Sequence, residues 1–163
     1  MNIFLRDLLD KRIINCSAPG PIHESVRETL TAYAKHNGYS EDPIFDLPDC
    51  KPDVFFASSD YDSIFVGDAK DSKNETAGNT QTLERIKKYI STVKKSLKKK
   101  QYEYVQFAIG TDDEDAIDEW TETLQDLFEE SGFVNKDSQT VSFDVKHFRG
   151  AWITTGIFEL KKD

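Results

Sequence analysis

The chain reads as a single mixed α/β domain, an α+β arrangement in the order α-β-β-β-α-β-α-β-β, with helices packed on one mixed sheet. Two observations carry that reading. Stretches with apolar residues at three- and four-residue spacing alternate with short apolar or β-branched runs bounded by turn formers. Hydrophobic residues make up 37% of the 163 residues and aromatics 12%, with only 8 Gly and 5 Pro, which suits one packed core and excludes a disordered or fibrous chain. One domain over 1–163 agrees with a norm of roughly 150 residues per domain.

The first helix starts at Pro19-Gly20-Pro21 and ends at Asn37-Gly38, with Ile22, Val26, Leu30 and Tyr33 at spacings of four, four and three. Ile44-Phe45, Val54-Phe55-Phe56-Ala57 and Ile64-Phe65-Val66-Gly67 follow, separated by Asp46-Leu47-Pro48 and by the turn-like Ser58-Ser59-Asp60-Tyr61-Asp62, and predict a three-stranded meander. The clearest period in the chain is Leu83, Ile86, Ile90, Val93 and Leu97, a long second helix. Lys87, Lys94 and Lys98 form a stripe beside its apolar face, and Lys88, Lys95 and Lys99 form another further round. Tyr104 to Ile109 is a strand closed by Gly110, and Ile117, Trp120, Leu124, Leu127 and Phe128 mark a third helix that stops at Gly132. The tail supplies two more strands, Thr140 to Val145 and Ala151 to Leu160, joined by His147-Phe148-Arg149-Gly150.

Charge is unevenly spread. The net value is −9, yet Thr111 to Glu130 alone holds ten acids and no Lys or Arg, so the acidity belongs to one helix face. A lysine cluster from Lys87 to Lys100 lies just upstream, so net charge does not exclude a polyanionic partner. No run of about 20 apolar residues is present, and Arg6, Asp7, Asp10, Lys11 and Arg12 interrupt the opening MNIFLRDLLDKRII, so neither a membrane span nor a secretory h-region is expected. The expected compartment is the cytoplasm. Cys16 and Cys50 lack metal-ligand spacing and are expected to be free thiols.

Chemistry concentrates in the meander. The chain reads Lys51-Pro52-Asp53 and then, with fourteen residues between the acids, Asp68-Ala69-Lys70. Asp68 and Lys70, two apart on a strand, share one face, and Asp53 can face Asp68 across the hairpin. Two facing carboxylates repel unless a cation lies between them or one is protonated, which points to a hard divalent ion such as Mg²⁺. A lysine beside such an ion can stabilise a phosphate under attack or orient the attacking water. Taken singly, Pro-Asp is a common turn and Asp-x-Lys a common surface ion pair.

Together, Pro52-Asp53 and Asp68-Ala69-Lys70 resemble the motif of the PD-(D/E)XK nuclease superfamily, in a matching order of helix, hairpin, helix and strand. The resemblance covers about residues 21–110 and implies a restriction endonuclease-like core, α-β-β-β-α-β, with residues 111–163 as an added helix and C-terminal strands. It implies that Asp53, Asp68 and the carbonyl of Ala69 bind Mg²⁺, with Mn²⁺ as a substitute, and that Lys70 acts on the water. Family members often add a first-helix glutamate. Glu24 is favoured for that role, with His23, nearer the buried face, and Glu28 as alternatives. Gln81 and Tyr89 resemble polar residues of some RecB-like members, but their spacing differs, and the favoured reading is an exposed helix-start Gln and a half-buried Tyr. Ser72, Lys73 and Asn74 either touch phosphate or form a turn.

The expected function is therefore a Mg²⁺-dependent DNA endonuclease, with Lys73, Lys87, Lys94 and Lys98 along the phosphate backbone and a homodimer wherever both strands are cut. The rival expectation is an inactive nuclease-like domain that binds protein or nucleic acid, with the acidic helix 112–130 as the docking surface for a protein partner.

Overall fold

A computed structural model of the chain describes residues 20–162. The opening MNIFLRDLLDKRII, Cys16 and the Pro19 helix start lie outside the described residues. The elements are α1 (Pro21–His36), β1 (Tyr39–Glu41), β2 (Val54–Ser58), β3 (Ser63–Lys70), α2 (Thr80–Lys98), β4 (Tyr104–Thr111), α3 (Glu114–Glu130), β5 (Phe133–Asn135), β6 (Asp144–Phe148) and β7 (Ala151–Leu160). The mixed α/β character expected from the sequence is present.

Seven strands form one sheet in the order β1-β2-β3-β4-β7-β5, with β6 lying along the other half of the β7 edge. Pairing is antiparallel from β1 to β3, parallel between β3 and β4, and antiparallel between β4 and β7. The parallel step is bridged by α2, as a crossover between parallel strands requires. Its register sets Asp68 beside Ile109 and Lys70 beside Thr111.

Alternation along β3 divides the core between the two faces of the sheet. Phe65 and Ala69 face Val26, Leu30, Tyr33 and Ala34 of α1. Ile64 and Val66 face Ile86, Ile90 and Val93 of α2, with Ile117, Trp120 and Phe128 of α3 continuing that cluster. On this face β3 carries apolar residues for most of its length, and then Asp68 and Lys70 continue the same parity. The helix starts are fixed by local chemistry: Asn79 accepts from the Thr82 amide at 2.9 Å and Asp113 from the Ala116 amide at 3.0 Å. Gly110 lies inside β4 rather than ending it, because α1 crosses there so closely that an added Cβ would sit 3.0 Å from Leu30 Cγ.

Some elements fall elsewhere than the periodicity suggests. The first strand of the meander forms at Tyr39–Glu41, whereas Ile44 and Phe45 are exposed in a bend. The Tyr102 hydroxyl holds that bend, accepting from the Phe45 amide at 2.8 Å and donating to the Phe45 carbonyl at 2.9 Å. The strand expected over Thr140 to Val145 forms later, at Asp144–Phe148, and turns into β7 at Arg149-Gly150, both with positive φ as a two-residue hairpin turn demands. The short strand β5 was not signalled, because three residues are too few to show a period. Ile22 is 38% exposed rather than buried in the α1 stripe.

Candidate active site

Asp68 and Lys70 end β3 on the face of α2 and α3, at 2% and 1% exposure. Burying two charges is costly unless they are paired, and here Lys70 Nζ lies 2.5 Å from Asp68 Oδ2. Beyond this ion pair neither atom has a hydrogen-bond partner among the described residues. The only other such buried side-chain atom there is His23 Nδ1. All three belong to one cluster.

Asp53 precedes β2 and is held from three sides. Its amide donates to Asp68 Oδ1 at 3.1 Å, its Oδ2 accepts the Ala69 amide at 2.8 Å, and His23 Nε2 approaches the same oxygen to 3.2 Å. The Lys51-Pro52-Asp53 turn is itself anchored by the buried Tyr89, whose hydroxyl donates to the Lys51 carbonyl at 3.2 Å. The two acids thus do not meet as bare carboxylates. Backbone amides, His23 and Lys70 offset the repulsion that the sequence argument assigned to a cation.

The electrostatics follow from this packing. Burial raises the Asp68 carboxyl to about 7, against the opposing charge of Lys70. For Asp53, burial works upward but is outweighed by hydrogen bonds from His23, Asp68 and the Ala69 amide, which pull it down to about 2. His23 is raised, chiefly by its hydrogen bond to Asp53, with burial working against it. Two neighbouring carboxyls held far apart in acidity are a pattern associated with functional sites.

Beside these groups opens a cleft of about 380 Å³ lined by Gly20, His23, Asp53, Asp71, Asn74, Glu75 and Arg85. The loop after β3 shapes it. The Asp71 amide donates to Glu75 Oε1 at 3.0 Å, the Glu75 amide to the Asp71 carbonyl at 2.8 Å, and Glu75 Oε2 lies 3.7 Å from Lys70 Nζ.

Asp53, Asp68, Ala69 and Lys70, singled out in the sequence, thus come together. From α1 it is His23 that turns inward, while Glu24 forks onto Arg27 at 2.7 and 3.1 Å with its side chain 38% exposed, and Glu28 is exposed. A signal for this existed: His23, Val26, Leu30 and Tyr33 follow a three-four-three spacing that Ile22 does not. Gln81 is exposed in a shallow hollow shared with Lys51, Arg85 and Lys88. Lys73 is exposed in the loop, and Lys87 is exposed and 3.7 Å from Glu84. Lys94 is half-buried and Lys98 exposed, both toward the far end of α2, and at 1.5 Å per residue Lys98 lies about 20 Å along the axis from Arg85. The sequence reading missed Glu75 and Arg85, since an acid in a polar loop and an exposed helical arginine carry no periodic signal.

Among the described residues no group of three or more His, Cys, Asp or Glu side chains is arranged to hold a metal ion. The side chains nonetheless include donors of the type a hard cation takes. Asp53 and Asp68 carry carboxylate oxygens, Asp68 Oδ2 is held by the Lys70 ammonium, and Mg²⁺ uses one or two carboxylates and keeps several waters. No family model, no curated protein and no solved structure matches the chain.

Proposed function

We propose that the protein is a Mg²⁺-dependent endonuclease of the PD-(D/E)XK type that hydrolyses phosphodiester bonds in DNA. The observation that carries this reading is the buried Asp68–Lys70 ion pair, with Nζ 2.5 Å from Oδ2, next to Asp53 at the strand ends. Such a pair lowers stability relative to apolar packing, and a reactive site is a physical reason to retain it. Asp53, Asp68 and the Ala69 carbonyl are the groups that would hold Mg²⁺, or Mn²⁺ in its place. A bound divalent ion at such a site supplies charge neutralisation at the phosphate and a more acidic water. Lys70, now buried behind the cleft, would supply its ammonium to the phosphate oxygens and the attacking water, and His23 fixes Asp53 in place. Arg85 in the cleft, Lys51 and Lys88 in the hollow that shares Arg85, Lys73 in the loop after β3 and Lys87 on α2 are the cations for the phosphate contacts. Cutting both strands of a duplex with one site per chain calls for a homodimer.

A second reading, an inactive nuclease-like domain that binds a partner, is favoured by His23 in the first-helix position and by the acids 112–130, every one of which is exposed. Nicking of supercoiled plasmid in Mg²⁺ and in Mn²⁺, with EDTA and Lys70→Ala as controls, separates the two. Metal-dependent nicking that is lost in Lys70→Ala is the expected result. Folded protein that neither nicks nor binds Mg²⁺ by calorimetry sinks the catalytic reading.

A further inference from the structure

Lys70 has two carboxylates within reach, Asp68 Oδ2 at 2.5 Å and Glu75 Oε2 at 3.7 Å. Their surroundings differ. Asp68 is buried with Lys70 behind the cleft, whereas Glu75 lines the cleft and its side chain is 23% exposed. Glu75 is also held in place, since its Oε1 accepts the Asp71 amide and its own amide bonds the Asp71 carbonyl. That leaves Oε2 as the oxygen nearer the ammonium, 3.7 Å from Nζ.

On the function proposed above, Asp68 must give Oδ2, which now holds the Lys70 ammonium, to a divalent cation. One carboxylate oxygen cannot serve both a divalent ion and an ammonium at contact distance without strong repulsion between the two cations. The ammonium must then find another acceptor or remain as an uncompensated charge at 1% exposure. A movement of roughly 1 Å would bring Nζ from its present separation to the 2.7–2.9 Å of a charged hydrogen bond to Glu75. We propose that Glu75 is a positioning residue, the second seat of the Lys70 ammonium, which receives it when Asp68 binds a divalent cation and so turns Lys70 toward the cleft. The ammonium keeps all its protons throughout, and only its partner changes.

Asp68→Asn reproduces the loss of the first seat without metal, so the proposal can be tested in the metal-free full chain. Thermal midpoints of wild type, Asp68→Asn, Glu75→Gln and the double variant form a cycle. The expected result is a double variant that loses more than the two single losses combined, because its ammonium has neither seat; additive losses overturn the proposal. Should the double variant not fold, the Glu75 side-chain ¹³Cδ resonance is compared between wild type and Asp68→Asn. It shifts if the ammonium reseats, and an unmoved resonance overturns the proposal. Titrating Mg²⁺ into the wild type should move the same resonance in the same direction. Reseating in Asp68→Asn with no response to Mg²⁺ would defeat the metal reading while leaving the second seat standing. Plasmid nicking with additive losses in the cycle would do the reverse.

Discussion

Lys70 is the residue on which the site's energetics turn, because its removal leaves the Asp68 carboxylate buried and uncompensated. Lys70→Ala is expected to cost about 3–5 kcal/mol at pH 8, the usual penalty for breaking a buried pair, as read by urea denaturation. The cost depends on pH. Asp68 has a folded value of about 7 against an ordinary 3.8, so the folded state favours its protonated form, and the charged form weighs on stability as pH rises between those values. At pH 5 the carboxyl is neutral, and the loss in Lys70→Ala should be clearly smaller; an equal loss at both pH values would refute the assignment. Asp53 works in the opposite sense. Its folded value of about 2 lies below the ordinary 3.8, so its stabilisation is present above pH 4 and is lost as pH falls toward 2. His23, raised above 6.5, adds stability at lower pH that disappears as pH climbs through its folded value. In His23→Gln the thermal midpoint should lose that decline above 6.5 and begin its acid fall at a higher pH, since Asp53 no longer has its partner.

At the scale of elements, the site depends on how closely α1 lies on the sheet. The backbone of Gly110 approaches the Leu30 and Val26 side chains so tightly that Gly110→Ala must push them back by a few tenths of an ångström, with an added methyl 3.0 Å from Leu30 Cγ and 3.1 Å from Val26 Cγ1. Overpacking of this kind costs roughly 1–3 kcal/mol. Because α1 also carries His23, the substitution should loosen the His23–Asp53 contact, visible as a fall in the His23 titration midpoint toward 6.5 by NMR. A destabilised Gly110→Ala with an unchanged His23 titration would show that helix position and site are independent. The second helix matters through Tyr89, which ties the turn before Asp53 to the far side of the sheet, so α1 and α2 grip the site from opposite faces.

Over the whole molecule, charge is segregated. The exposed acids of α3 and the cations around the start of α2 occupy different elements, and no ion pair joins the two among the described residues. No helix among the described residues is long and apolar enough to cross a membrane. If the cleft takes DNA, affinity should fall steeply between 50 and 200 mM salt, by about 0.9 logarithmic units per tenfold salt for each phosphate neutralised. Arg85→Ala should weaken binding and reduce that slope by about one contact, whereas Lys98→Ala, about 20 Å away along α2, should change neither; fluorescence anisotropy of a labelled duplex reads both. A larger effect from Lys98 would place the nucleic acid along the outer lysine stripe instead.

Local patterns were enough to show the mixed α/β class, the three helices, the strand that bears Asp68 and Lys70 and the one that Asp53 precedes, because periodicity and turn residues act over a few positions. They also placed Asp68 and Lys70 on one face, since a pleated strand alternates strictly. Tertiary packing decided the rest. His23 rather than Glu24 faces Asp53 because the docking of α1 sets its rotation, and the Ile22 stripe gave a rotation one residue away from the observed one. Glu75 joins the site because the loop after β3 folds back on Asp71, and Ile44-Phe45 form no strand because a distant Tyr102 holds their backbone. A side chain's periodicity says which way it points along its own element, but what it meets is set by residues far away in the chain.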